Sequence, residues 1–377
     1  MRTIEDLGDL DGKRVLVRVD FNVPLDDGRI TDDTRIRAAL PTIERLRERG
    51  ARLVVISHLG RPKDRDPALS LRPVADRLAE LLGAEVQLAP DLDHVPHGDV
   101  VMLENIRFEP GETKNDPELA KRLAALADVY VDDAFGSAHR AHASTEGVAH
   151  LLPSAAGLLL QREVQTLTEI LEHPGRPLVA IVGGAKVTDK IGVLEAFLQR
   201  ADAILIGGAM AFPFLSVQGH SIGDSLCADE DLEPARALLA NGSDKLRLPI
   251  DLVLGDRFAA DAARRWFDGV DVPDGWMGLD IGPRTAGAYA EEIAGAGSVF
   301  WNGPMGAFEL EPFAAGTLAV AKAVAATNGT TVVGGGDSAA ALHQFGLADR
   351  VDHLSTGGGA SLELIEGKTL PGVEVLT

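Results

Sequence analysis

Short apolar runs rich in β-branched residues recur along the first part of the chain: RVLVRVDF at 14–21, RLVVISHL at 52–59, VVMLEN at 100–105 and VYVDDAF at 129–135. Between them lie longer stretches whose apolar positions return every three or four residues. Continuous short runs suit strands buried on both faces, the longer period suits amphipathic helices, and their alternation predicts βαβ units around a parallel sheet. In TDDTRIRAALPTIERLRERG, Asp and Thr offer an N-cap, Gly50 follows the last turn as a stop, and Pro41 predicts a break or kink.

The rhythm restarts after residue 175 with PLVAIVGG, AILIGG, LPIDLVLGD, SVFWNGP and TTVVGGGD. The chain therefore reads as α/β, with two Rossmann-like three-layer domains built on parallel sheets. SAAGLLLQREVQTLTEILEHPGR between them reads as one long amphipathic helix closed by Pro174 and Gly175, with a hinge at its ends. The expected layout is a domain over 1–155, the joining helix over 156–174 and a second domain over 175–360. No fixed-period repeat or low-complexity tract interrupts this pattern.

Composition narrows the function classes. At 377 residues and 45% hydrophobic content the chain can bury two cores. A formal charge of -21 argues against a nucleic-acid or anionic-membrane surface, so an anionic ligand must find a local basic pocket. A lone cysteine, Cys227, excludes a disulfide framework or cysteine-rich zinc cluster, and with no signal-like start the expected location is cytoplasmic.

In open parallel sheets, ligands bind beyond the carboxyl ends of the strands, where helix N-termini point at the opening. The four early strands are followed by Asp20-Phe21-Asn22, by His58-Leu59-Gly60-Arg61, by Asn105-Ile106-Arg107, and by FGSAHRAHAS with His139, Arg140 and His142. Each arginine alone reads most simply as a solvated surface group. Gathered at one sheet edge, their planar forks match phosphate and carboxylate oxygens, and the first half reads as a receptor for a small phosphorylated acid. Arg35 and Arg37, two apart in a first helical turn, point to different sides, so at most one reaches the crevice; neutralisation by Asp32 or Asp33 is an equal alternative.

In the second half GGAKVTDK places Lys186 and Lys190 four residues apart after an apolar strand, which reads as surface lysines or as a phosphate clamp. The glycines favour the clamp, because backbone amides can approach an anion where no Cβ intervenes. VVGGGDSAAAL, with Asp337 as a cap, and STGGGASLEL are two further anion cradles. Neither the Walker spacing nor the dinucleotide glycine fingerprint occurs. An anion site in one domain and a glycine-and-lysine phosphate site in the other suit phosphoryl transfer completed by closure.

Taken together, RVDFNVP, SHLGRP, FGSAHRAH, GGAKVTDK, WNGPMGAFE, GGGDS and STGGGASLELIEGK resemble phosphoglycerate kinase, from about residue 11 to the C-terminus. The resemblance implies reversible transfer from 1,3-bisphosphoglycerate to Mg-ADP, giving 3-phosphoglycerate and Mg-ATP, in a cytoplasmic, hinge-bending monomer of glycolysis and gluconeogenesis. It implies that the acid sits on the N-terminal domain against Asp20, Phe21, Asn22, Arg35, His58, Leu59, Gly60, Arg61, Arg107, His139 and Arg140. Arg35 would be the main catalytic cation, with Lys186, Lys190 and the backbone around Gly358, from Gly357 to Gly359, aiding the transfer. The nucleotide would lie against Lys186, Lys190, Gly207, Gly208, Gly278, Leu279, Asn302, Pro304, Glu309, Gly335, Gly336, Asp337 and Ser338, with Asp337 also serving Mg2+. The segment 361–377 is implied to return to the N-terminal domain, and Ala209 departs from a glycine common in the family. A binding protein without chemistry and an NAD-linked dehydrogenase are the rival readings.

Overall fold

The computed structural model describes residues 1–242 and 244–377. By packing, the chain divides into one unit of Met1–Gln165 with Lys368–Thr377 and a second of Thr166–Gly367. In the first unit the apolar runs form β1 (Arg14–Arg18), β2 (Arg52–Ile56), β3 (Gln87–Ala89), β4 (Val100–Leu103), β5 (Val129–Asp132) and β6 (Ser154–Ala156). They make one parallel sheet in the order β3-β4-β2-β1-β5-β6. Val15, Leu16 and Val17 of the central strand are fully buried, as a strand covered on both faces demands. Helix α1 (Thr34–Glu48) lays Ile36, Ile43 and Leu46 onto that core, each worth roughly 1.5–3 kcal/mol by burial.

Two local expectations for α1 change. The helix runs through Pro41 without a break, because Pro41 is exposed and the carbonyl deprived of its partner can be solvated. Asp33 occupies the N-cap position but gives its carboxylate to Arg37 and Arg77, while Asp32 accepts the Thr34 amide at 2.8 Å. At the other end Gly50 takes φ +78°, the left-handed conformation that a terminal glycine supplies without a Cβ clash.

The helix expected over 156–174 is shorter: Ser154–Ala156 is the edge strand β6, paired with β5, and the joining helix α2 is Leu158–Glu172. Small residues with helical propensity are overridden by pairing onto a preformed sheet. Asp133, one residue beyond β5, accepts the Leu159 and Leu160 amides at 2.9 and 3.2 Å and caps α2. The tail also packs within this unit: Arg2 donates its amide to Leu376 O at 2.7 Å, and Gly372 to Ala138 O at 2.9 Å.

In the second unit β7 (Leu178–Val182), β8 (Ala203–Ile206), β9 (Leu246–Arg247), β13 (Ser298–Asn302), β14 (Thr330–Gly334) and β15 (His353–Leu354) form a parallel sheet in the order β9-β8-β7-β13-β14-β15. The run LPIDLVLGD departs from the expectation, since β10 (Leu252–Gly255) pairs antiparallel with β11 (Arg264–Phe267) and β12 (Met277–Ile281) in a separate sheet. Trp301 and Phe300 are fully buried from the middle of β13, and Phe300 stacks on Phe197 at 5.0 Å.

Candidate functional site

The loops after β1, β2, β4 and β5 all leave the carboxyl edge of the first sheet, so the polar residues that follow these strands gather there. Arg61, Arg107, Arg140 and His142 line one cavity of about 630 Å³, with Lys63, Glu112 and Lys114. Arg107 donates to Gly60 O, which ties its guanidinium to the glycine of SHLGRP. Burial together with Arg140, Arg18 and Arg61 lowers the Arg107 pKa to about 10, a sign of crowded cations that an anion would relieve. His139 Nε2 accepts from Arg140 Nε at 3.1 Å, so that histidine orients the neighbouring arginine.

Beside this cavity Arg35 pairs with Asp20 at 2.5 Å, whereas Arg37 pairs with Asp33 at 2.9 Å. The two arginines thus go different ways, and only Arg35 joins the residues of RVDFNVP. Burial opposes ionisation of Asp20, but the Arg35 and Arg18 guanidiniums hold its pKa below the ordinary value. His58 is pushed well below its ordinary value by burial, against the pull of Asp20 and with Arg18, Arg107 and Arg140 acting in the same direction as burial. Its neutral Nδ1 faces Arg18 Nη2 at 3.1 Å as an acceptor, which leaves the ring proton on Nε2. Asn22 Oδ1 accepts the Gly60 amide at 2.8 Å, joining the first two loops. Phe21 and Leu59 turn their side chains into the core and offer only backbone to a ligand.

In the second unit a cavity of about 630 Å³ is lined by Gly208, Gly278, Leu279, Pro304, Glu309 and Asp337 among others. Lys190 and Lys186 diverge beside it. Lys186 is exposed and pairs with Glu230 at 3.2 Å, while Lys190 turns inward and donates to Gly183 O at 2.6 Å and Asn302 O at 3.1 Å. Burial lowers the Lys190 pKa to about 8 against the pull of Asp337 and Asp189. A Cβ on Gly303 would lie 2.6 Å from Lys190 Nζ, so glycine there lets the ammonium approach the loop. Gly207 packs against Met305, where a Cβ would lie 2.5 Å from its sulfur.

The glycine turn after β14 supports this floor. Asn302 donates to Gly334 O at 2.8 Å, and Ser338 Oγ accepts the Gly303 amide at 2.6 Å, so both act as buried fasteners between adjacent loops. Gly335, at φ +94°, is the N-cap of helix Gly336–Gln344, and Asp337 therefore lies inside its first turn instead of at the cap. Gly336 and Gly358 face open space, and Gly357 is the N-cap of helix Gly358–Ile365.

Several contributors were not singled out from the sequence. Arg18 is 1% exposed at the end of β1, and its only sequence signal is a charge inside an apolar strand. Glu112 and Ser144 are buried, Glu112 in the lining of the arginine cavity and Ser144 within a π-helical turn over Ala143–Gly147. Leu226 and Phe258, both 58% exposed, line the second cavity and present apolar surface to it. Among the described residues no group of three or more His, Cys, Asp or Glu gathers as a metal site, and none involves His139 and His142.

A family model described as phosphoglycerate kinase matches residues 4–368. The chain is 56% identical to the phosphoglycerate kinase of Moorella thermoacetica, over 100% of this chain and 98% of that protein. It is 52% identical to a cytosolic phosphoglycerate kinase of Triticum aestivum, again over 100% and 98%. The solved phosphoglycerate kinase of Coxiella burnetii superposes with a TM-score of 0.91 at 44% identity, covering 99% of this chain and 98% of that one. A parallel-sheet fold with a cluster of arginines in one unit and a glycine-lined cavity in the other thus coincides with full-length similarity, and the chain belongs to the phosphoglycerate kinase family.

Proposed function

We propose that, in the phosphoglycerate kinase reaction, the first unit holds the glycerate acid and the second holds the nucleotide. The enzyme is a phosphotransferase that uses a carboxyl group as acceptor, and it acts in glycolysis. A β-phosphate oxygen of ADP bonds the acyl phosphorus of 1,3-bisphosphoglycerate. The bond from that phosphorus to the C1 carboxyl oxygen breaks, and its electron pair leaves with the carboxylate of 3-phosphoglycerate. Attacking and leaving groups are both anions, so no general base is required and catalysis is orientation plus charge stabilisation.

The observation that carries the allocation is the cavity lined by Arg61, Arg107 and Arg140, cations without enough acids to neutralise them. These three would grip the acid's charged ends, Asp20 and Asn22 would meet its glycerate part, and Arg35 would balance charge on the carboxyl and moving phosphoryl group. In the second unit Lys190 would leave its two carbonyl partners for the phosphoryl oxygens, with the glycine turns at 335–338 and 357–359 cradling the phosphates. Leu279, Pro304 and the exposed Phe258 would enclose the base, with Glu309 at the ribose. A hinge at the ends of α2 would bring the two ligands in line.

Mg2+ carried by a nucleotide needs only one or two protein carboxylates beside phosphates and waters, and Asp337 on the glycine-turn wall of the cavity fits that requirement. The ion would supply charge neutralisation to the nucleotide phosphates there. A cytoplasmic monomer is the working state, which a solution mass measurement checks. The allocation is tested by calorimetric titration of Arg107→Ala with 3-phosphoglycerate and with ADP: acid binding is expected to fall at least tenfold with ADP binding unchanged. The reverse pattern sinks the allocation.

A further inference from the structure

Through Glu112 the lining of the acid cavity connects to a continuous buried chain of side chains that joins four strand-end segments. Glu112, 2% exposed and in the loop region after β4, accepts the Ser144 amide at 3.0 Å and the Ser144 hydroxyl at 2.6 Å. Ser144 Oγ in turn accepts from Arg18 Nε at 2.9 Å, at the end of β1. Arg18 meets His58 Nδ1, after β2, at 3.1 Å, and the Ser144 carbonyl is held by the Tyr130 hydroxyl at 2.8 Å from β5. His142 Nδ1 stands 3.7 Å from Glu112.

We infer that Glu112 is a positioning residue of the acid site, acting through Ser144 and Arg18 to fix the wall that carries Arg140 and His142. This rests on the acid being bound in the first unit. A carboxylate lining an anion cavity should, as a charge alone, repel the substrate. Its presence beside Arg18 and Arg107 is explained by geometry: it takes two donors of one residue and leaves that residue's oxygen to orient a guanidinium.

Charge and position predict opposite signs, which makes the role testable by steady-state kinetics in the ATP-consuming direction. Glu112→Gln removes the charge and keeps the size, whereas Glu112→Asp keeps the charge and withdraws it by one methylene. If positioning dominates, both raise KM for 3-phosphoglycerate by about tenfold, the scale of one lost charge-assisted hydrogen bond, and leave KM for ATP within about twofold. Ser144→Ala should do the same, and Glu112→Gln with Ser144→Ala should add little further, since both cut one chain.

A fall or no change in the acid KM for Glu112→Gln overturns the inference, as does an equal rise in the ATP KM. Should Glu112→Gln not fold, Ser144→Ala and Glu112→Asp interrupt the same chain and decide the question by the same readout. Arg107→Ala, run in parallel, separates the two levels. If its acid KM is unchanged the acid-site allocation fails; if it rises while the Glu112 and Ser144 variants stay normal, only the positioning role fails.

Discussion

Replacing Lys190 by Met should separate catalysis from stability. The ammonium is turned inward onto two carbonyls, and its pKa falls from 10.5 to about 8, mainly through burial. At 1.36 kcal/mol per unit this is about 3 kcal/mol of penalty on the charged form in the folded state. The two hydrogen bonds to Gly183 O and Asn302 O return about 1.5–3 kcal/mol each, so the charged lysine nets between about zero and 3 kcal/mol and the substitution should cost no more than about 3 kcal/mol at pH 7. Because the folded pKa is depressed, the penalty is fully present below pH 8 and is relieved as pH rises through 10.5. The wild type should therefore gain about 2 kcal/mol on Lys190→Met between pH 7 and pH 9.5, other groups cancelling in the difference. Urea denaturation of both proteins at the two pH values measures it. A stability difference flat with pH, or a loss above about 4 kcal/mol at pH 7, refutes the account of Lys190 as a desolvated cation held at a cost. Turnover should fall by about a thousandfold whatever the stability, as for other charges on a transferring phosphoryl group.

Two further substitutions probe the two cavities. Arg35→Ala should lower kcat by about a thousandfold while the far-ultraviolet spectrum stays native; near-normal turnover removes Arg35 from the chemistry. Phe258→Ala, at a side chain 58% exposed in the second cavity, should raise the nucleotide KM by about tenfold with little loss of stability, and an unchanged KM excludes it from base stacking.

The parallel sheets were legible because continuous β-branched runs alternate with helix-period segments, and the glycine turns after β7 and β14 stood out for the same local reason. Pairing direction was not legible: LPIDLVLGD has the composition of a parallel core strand, and only the two strands that follow it, Arg264–Phe267 and Met277–Ile281, make it antiparallel. Nor was the fate of like residues. Lys186 and Lys190 look equivalent in GGAKVTDK, yet one meets Glu230 at the surface and the other turns under Gly303, since the segment ends in a 3₁₀ turn over Thr188–Lys190. Glu112 was invisible because its partners, Ser144 and Arg18, are 32 and 94 residues away.

The charge of the chain and the charge of the acid cavity therefore obey different rules. A net -21 is spread over solvated side chains, where each contributes little beyond a Debye length. Within the cavity the same charges act at a few ångströms and with less water. There the acids do not simply cancel arginines: Asp20 holds Arg35 at 2.5 Å, and Glu112 holds Arg18 through Ser144. Each buried carboxylate fixes one guanidinium and leaves Arg61, Arg107 and Arg140 lining the cavity. A ligand with two separated anionic groups relieves more of their repulsion than one with a single charge. Affinity in the cavity should therefore follow the spacing of the ligand's charges more closely than its size.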